Sequence, residues 1–264
     1  MKKSSIRERW DNYRKANTDK PLVRNNELSE IFSLLNPIAG ETILEVGTGN
    51  GYLSFPIAKA VGKGRVVTAD VSKDNLQSVN KRNYKKLPIK TVLFNDNKLF
   101  SSINSDYFNA IATIATLHHF DNRKIKTGET GRTGALTEFY RLLKRGGRLV
   151  IADVAYDTIS QRYFDAIDNP LHCFPDGHPH DFFTPSRLKR LLKMIGFKKV
   201  KITVKRVPWR FTSVNEAKDF IHTIHNAKCS TEESFNVAKK KLGFKKVKDH
   251  YELGWKLFFA VAYK

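Results

Sequence analysis

Glycines, carboxylates and histidines stand at the ends of apolar runs in this chain, and several of these places suit one ligand. Glu45-Val46-Gly47-Thr48-Gly49-Asn50-Gly51 follows the run Thr42–Val46. Glycine there lets the backbone turn tightly and approach a bound molecule closely. The spacing is not the dinucleotide fingerprint: counted from Gly47, the third glycine of G-x-G-x-x-G falls on Tyr52. The Lys-Ser/Thr end of a phosphate-binding Walker loop is missing too, and no Lys or Arg stands in the loop. A nucleoside with a compact zwitterionic tail suits it better than a pyrophosphate. Asp70 ends the next apolar run, 19 residues after Gly51. A carboxylate at that place accepts hydrogen bonds from both ribose hydroxyls and repels a 2′-phosphate. Asn95-Asp96 ends the third run, where a polar side chain can face an adenine amino group.

Other groups are open to a chemical or a plain structural reading. His118-His119 follows the run Phe108–Ala115; histidine is the commonest general base, and also a common loop-packing residue. Asp153 ends the run Arg148–Asp153 and is a second catalytic candidate, although Asp serves readily as a turn or cap residue. His172, Cys173, His178 and His180 lie in a stretch with three prolines. Their spacing fits no zinc pattern, so no metal is expected and the stretch reads as a lid loop. Trp10 and Tyr13 fall in an amphipathic N-terminal segment. Cys173 and Cys229 cannot build a disulfide framework, which suits a reduced, cytoplasmic protein.

The elements that position these groups alternate. Runs 42–46, 65–70, 91–94, 108–115 and 148–153 read as buried strands. Helical patterns stand between them: 53–61, 72 to about 86, and 135–143, the last closed by Lys144-Arg145-Gly146-Gly147. Near-continuous apolar strands separated by helices imply a parallel sheet covered on both faces. Further on come an amphipathic helix over 185–195, an alternating strand over 199–207 and a last strand over 255–263. The expectation is an α/β doubly wound, seven-stranded, mostly parallel sheet with an antiparallel last strand, in a three-layer α/β/α sandwich. One domain spans 1–264, with a helical cap at 1–36, a lid loop at 156–184 and a helical insertion at 213–250. The insertion is read as one or two helices and a basic loop.

The chain has 264 residues, with 41% hydrophobic and 28% charged residues, which excludes wholesale disorder. No apolar run is long enough to span a membrane, and MKKSSIRERWDNYRKANTDK lacks the apolar core of a secretory signal. The formal net charge is +21 and uneven: +5 over 1–24, +2 over 25–184 and +14 over 185–264. A basic last third either forms solvated faces or meets something anionic.

Residues from about 37 to 155 resemble a class I S-adenosylmethionine-dependent methyltransferase. ILEVGTGNGYLS, VVTAD, LFND and FNAIATIATLHHF look like the first four motifs, and LLKRGGRLVIADV like the fifth-strand motif. DFFTPSRLKRLLKMIGFKKVKI resembles the stretch that follows in quinone-type and other small-molecule members. The resemblance implies S-adenosyl-L-methionine as cofactor. It implies that Glu45 and Gly47, Gly49 and Gly51 hold the methionine end, Asp70 the ribose and Asp96 the adenine, with Thr48, Tyr52, Val71, Asn95 and Thr116 completing the set. Asn109 stands where the family usually has Asp, the loop after Phe120 is long and basic, and the 213–250 insertion is not part of the common pattern.

The implied reaction is methyl transfer to a small molecule, with His118, His119 and Asp153 nearest the acceptor. Ala115-Thr116-Leu117-His118 stands where exocyclic-amine enzymes carry Asp/Asn-Pro-Pro-Tyr, and no cysteine lies there for cytosine C5 chemistry. RNA held by the basic third is the alternative acceptor, and a non-catalytic cofactor-binding scaffold is the third reading. The sequence leaves the oligomeric state open.

Overall fold

Strands buried on both faces need apolar side chains at nearly every position, and the first, second and fourth runs have them. The computed structural model describes residues 3–93, 103–120, 131–168, 172 and 182–264. Ten strands are found there: β1 (Thr42–Val46), β2 (Arg65–Asp70), β3 (Ile89–Leu93), β4 (Phe108–Ile114), β5 (Leu143–Asp153), β6 (Lys198–Arg206), β7 (Trp209–Phe211), β8 (Phe244–Val247), β9 (His250–Leu253) and β10 (Lys256–Tyr263). Seven form one sheet in the order β3-β2-β1-β4-β5-β10-β6. Pairs β1–β2, β2–β3, β1–β4 and β4–β5 are parallel, and β10 runs antiparallel to β5. The order reverses between β1 and β4, which opens a crevice at the carboxyl ends of those strands.

The helices are α1 (Lys3–Asp19), α2 (Asn25–Leu35), α3 (Ser54–Val61), α4 (Lys73–Arg82), α5 (Arg132–Leu142), α6 (Ile159–Ile167), α7 (Pro185–Ile195), α8 (Val214–Ile224) and α9 (Thr231–Leu242). Their ends follow from local chemistry. The side chains of Ser72, Thr184 and Ser213 each accept a hydrogen bond from the backbone three residues on. Ser230 and Glu233 form a reciprocal capping box. α7 begins with Pro185 and stops at Gly196, whose φ is 118°.

Contacts divide the chain into two units. One comprises 29–153, 180–204 and 258–264 and holds most of the large sheet. The other comprises 1–28, 154–179 and 205–257. In it the rings of Trp209 and Trp255 stack at 4.2 Å between centroids. Buried Glu27 accepts from Trp209 Nε1 and from the Arg24 guanidinium, and Arg24 also donates to Tyr13 Oη. That network ties α1 and the start of α2 to the three-stranded antiparallel sheet β7-β9-β8.

The structure departs from the sequence expectation in several places. α4 stops at Arg82, not near Lys86, because the Asn83 amide bonds both the C=O and the N–H of Leu87 and turns the chain. Leu143 to Gly147 belong to β5 rather than to a helix end, with a register irregularity opposite Phe108–Ala110. The expected lid loop begins with helix α6, capped by Thr158. The basic loop of the insertion is a hairpin, β8–β9, and its positive-φ residue is Lys248, not glycine. β6 ends the sheet among the described residues and carries Lys198, Lys199, Lys201, Lys205 and Arg206. No helix among the described residues is long and apolar enough to cross a membrane.

Candidate active site

The turn after β1 is built on two glycines whose conformation and surroundings exclude a side chain. Gly47 has φ 86°, and a Cβ there would collide with Thr116 at the exit of β4. Gly51 has φ 80°, and a Cβ would strike the Phe55 ring. Backbone bonds from Gly47 N to Ala69 O and from Gly51 N to Thr48 O, both 2.8 Å, hold the turn. Arg82 donates to the Asn50 carbonyl, and its guanidinium lies 5.1 Å from the Phe55 ring centre. The sequence offered no signal for Arg82 beyond its place in the last turn of α4.

Asp70 joins this turn to the next helix. Its Oδ2 accepts from Gly49 N at 2.9 Å and its Oδ1 from Ser72 N at 2.8 Å. Burial pushes the Asp70 carboxyl above its ordinary value, against the pull of the Ser72 and Gly49 N–H groups. Val71 beside it is 56% exposed, Thr48 is buried and Tyr52 is half-buried.

Glu45 lies beneath the turn rather than in it. Its carboxylate accepts from Thr68 Oγ1 at 2.7 Å and from Ser54 Oγ, and Thr48 Oγ1 meets Thr68 Oγ1. It is 1% exposed. Burial pushes its carboxyl up to about 7, the two hydroxyls oppose the rise, and the Asp70 charge adds to it. Sequence reasoning singled out Glu45 but missed Ser54 and Thr68, which are ordinary helix and strand residues by pattern.

His118 sits in a single 3₁₀ turn, Leu117–His119, after β4. Asp153, at the end of β5, accepts from His118 N at 3.0 Å through Oδ2 and lies 2.7 Å from His118 Nδ1 through Oδ1. Both residues are buried. Opposite a carboxylate acceptor Nδ1 is the donor, the tautomer that turns Nε2 into the acceptor side of the ring. His119 stacks against His118 at 4.1 Å between ring centres, and Phe182 packs on His118 at 5.2 Å. Phe182 was missed in the sequence, where it reads as the tail of a loop.

Asn109, the departure from the family's usual Asp, accepts from Thr42 N at 3.0 Å and from Lys144 Nζ at 3.2 Å through Oδ1. An amide oxygen meets the backbone donor as a carboxylate does. The structure thus gathers the glycine turn, Asp70, Val71 and Thr116, and His118 with Asp153, at carboxyl ends of neighbouring strands. Asn95, Asp96, Cys173, His178 and His180 lie outside the described residues.

A family model described as a methyltransferase domain matches residues 23–202. None of the curated proteins matches the sequence. Among solved structures, a protein of Bacillus halodurans C-125 aligns with 90% of this chain and 98% of its own, at TM-score 0.61 and 17% identity. A SAM-dependent methyltransferase from Archaeoglobus fulgidus aligns with 94% of this chain and 98% of its own, at TM-score 0.58 and 15% identity. Phosphoethanolamine N-methyltransferase 2 of Haemonchus contortus, solved with phosphomonomethylethanolamine and S-adenosylhomocysteine, aligns with 90% of this chain and 52% of its own, at TM-score 0.59 and 14% identity. At these identities the likeness is one of fold. The family match spans more than half of the sequence, and the chain belongs to the methyltransferase domain family.

Proposed function

We propose that this protein transfers a methyl group from S-adenosylmethionine to a small-molecule acceptor, with His118 receiving the acceptor's proton. The observation that carries the reading is the meeting of the glycine turn, Asp70 and the His118–Asp153 pair at the carboxyl ends of neighbouring strands. The residues fit the cofactor. Gly47 leaves no room for a Cβ beside Thr116, so only glycine lets the turn after β1 pass this close to the exit of β4. Asp70 accepts the Gly49 and Ser72 backbone N–H groups, with the Asn75 side chain and the Val71 N–H also turned toward it, and on this reading the ribose hydroxyls share the same two oxygens. Exposed Val71 gives adenine an apolar surface. On this reading Gly49 and Gly51 line the methionine end, Glu45 supports them from below, and Asn95 and Asp96 meet the adenine.

When bound, S-adenosylmethionine supplies an electrophilic methyl group and leaves as a neutral thioether. The protein therefore needs no acid for the leaving group. Its main contribution is to align the partners, which is worth about 7–11 kcal/mol. Asp153 keeps the proton on His118 Nδ1, so Nε2 takes the proton of an attacking O–H or N–H group. His119 and Phe182 hold the ring in place. The small-molecule ligands of the Haemonchus contortus enzyme support an acceptor of that size.

The test is calorimetry with S-adenosylhomocysteine up to millimolar concentration, followed by tritium transfer from labelled cofactor to a small-metabolite extract and, separately, to total RNA. Absence of both heat and thermal shift sinks the cofactor assignment. A second reading, RNA as acceptor, is favoured by the exposed Lys239, Lys240, Lys241, Lys245, Lys246 and Lys248 of α9 and the β8–β9 hairpin. On that reading RNA alone is labelled, and log affinity falls with log salt at about −0.7 per phosphate contact.

A further inference from the structure

A cavity of about 280 Å³ opens between α5 and α7. Arg132 and Thr133 line it from the start of α5, and Phe183, Arg187, Arg190 and Met194 from the segment that ends in α7. The guanidinium of Arg132 lies 4.4 Å from the centre of the Phe183 ring, and that of Arg187 lies 5.5 Å from it. Arg187 and Arg190 stand three residues apart on one face of α7 and are both exposed. α7 carries Arg187, Lys189, Arg190 and Lys193 and no acidic residue, and no carboxylate lines the cavity among the described residues.

Two guanidinium groups on one aromatic ring, with a third lining the same cavity, have a specific chemistry. The planar fork of arginine matches the paired oxygens of a carboxylate or phosphate. Phe183 and Met194 offer apolar surface beside that charge. The volume lies just below the usual range of ligand pockets, which suits one small anionic group on a compact body. Phe182, the neighbour of Phe183, packs on His118. One dipeptide thus borders both the proposed base and the basic cavity.

We infer that this cavity binds an anionic group of the methyl acceptor, a carboxylate or phosphate ester carried on an aromatic or apolar body. The inference rests on the methyltransferase reading for the word acceptor, but the binding of the anion does not. Arg187 and Arg190 hold the oxygens, and the Phe183 ring, backed by Arg132, flanks the body.

The test is calorimetric titration of the whole protein with phenyl phosphate, phenylacetate and neutral benzyl alcohol, beside inorganic phosphate and a single-stranded RNA oligonucleotide. The expected result is that phenyl phosphate or phenylacetate binds, benzyl alcohol does not, and Arg187→Gln/Arg190→Gln weakens the anion about tenfold or more. The phosphate and carboxylate arms tell which oxygen acid is preferred. Affinity for S-adenosylhomocysteine should stay unchanged in the same variant, so a failure of the cofactor assignment and a failure of this site are read separately. Met194→Glu at an exposed position (77%) should repel the same anions, and it serves if the double variant melts early. Wild-type protein that binds neither organic anion, or variants that bind them as well as wild type, would overturn the site. Binding of the RNA alone, lost in the double variant, would overturn it in favour of a nucleic-acid contact.

Discussion

Asp153 grips His118 at two points, the backbone N–H at 3.0 Å and the ring Nδ1 at 2.7 Å. The first contact fixes the turn after β4, and the second fixes which ring nitrogen is basic. Asp153→Asn keeps an oxygen for the backbone but places either an amide N–H or a weaker acceptor opposite Nδ1. Turnover should fall about 10²- to 10⁴-fold, the usual worth of a general base, while S-adenosylhomocysteine affinity holds. Single-turnover kinetics beside calorimetry separate the two. Equal losses in both would make the pair structural.

Asp70→Ala removes the carboxylate that receives Gly49 and Ser72 N–H groups and that we assign to the ribose. The cofactor should bind about 10- to 150-fold more weakly, as expected for a charge-assisted contact of roughly 1.5–3 kcal/mol. An unchanged dissociation constant in a folded variant would move the ribose elsewhere.

Gly47→Ala meets two obstacles, a φ of 86° and the Thr116 side chain. The backbone part alone costs about 1–2 kcal/mol. Combining it with Thr116→Ala removes the two nearest atoms but keeps a Cβ 2.8 Å away, so it should relieve part of the collision and leave the rest with the backbone cost. Urea unfolding of the two single variants and the double variant forms a cycle. Additive losses would show that the side chains never compete.

Stability should depend on pH through Glu45. Burial holds its carboxyl near 7, above the ordinary 4.5, so the folded state favours the protonated form. That contribution is complete below about pH 4.5 and is lost as pH rises through about 7. Glu45→Gln cannot titrate. Its stability relative to wild type should therefore gain about 3 kcal/mol from pH 4.5 to pH 8, measured by urea unfolding at both ends. A constant difference would mean that Glu45 ionises normally.

The large sheet was legible because β1, β2 and β4 are buried along almost their whole length and read as near-continuous apolar runs between glycine and polar stops. The carboxylates at their ends were legible for the same reason: strand ends are where the apolar pattern breaks. What could not be read depended on partners distant in sequence. Ser54 and Thr68 acquire their place only when β1, β2 and α3 pack around Glu45. Phe182 and His118 are 64 residues apart and meet through tertiary packing alone. The β8–β9 hairpin was hidden because one pair of its residues, Lys245 and Glu252, and a turn of Lys248 and Asp249 look like solvated loop.

The lysines of β6 have a consequence for how copies of this protein behave at high concentration. An open sheet edge offers unpaired N–H and C=O groups to any other strand, and rows of like charge keep such strands apart. Five of the twenty basic residues in the last third, Lys198, Lys199, Lys201, Lys205 and Arg206, lie on that edge. Part of the surplus that looks like an invitation to anions thus guards against aggregation, and removing it should yield a less soluble protein before it yields a less active one.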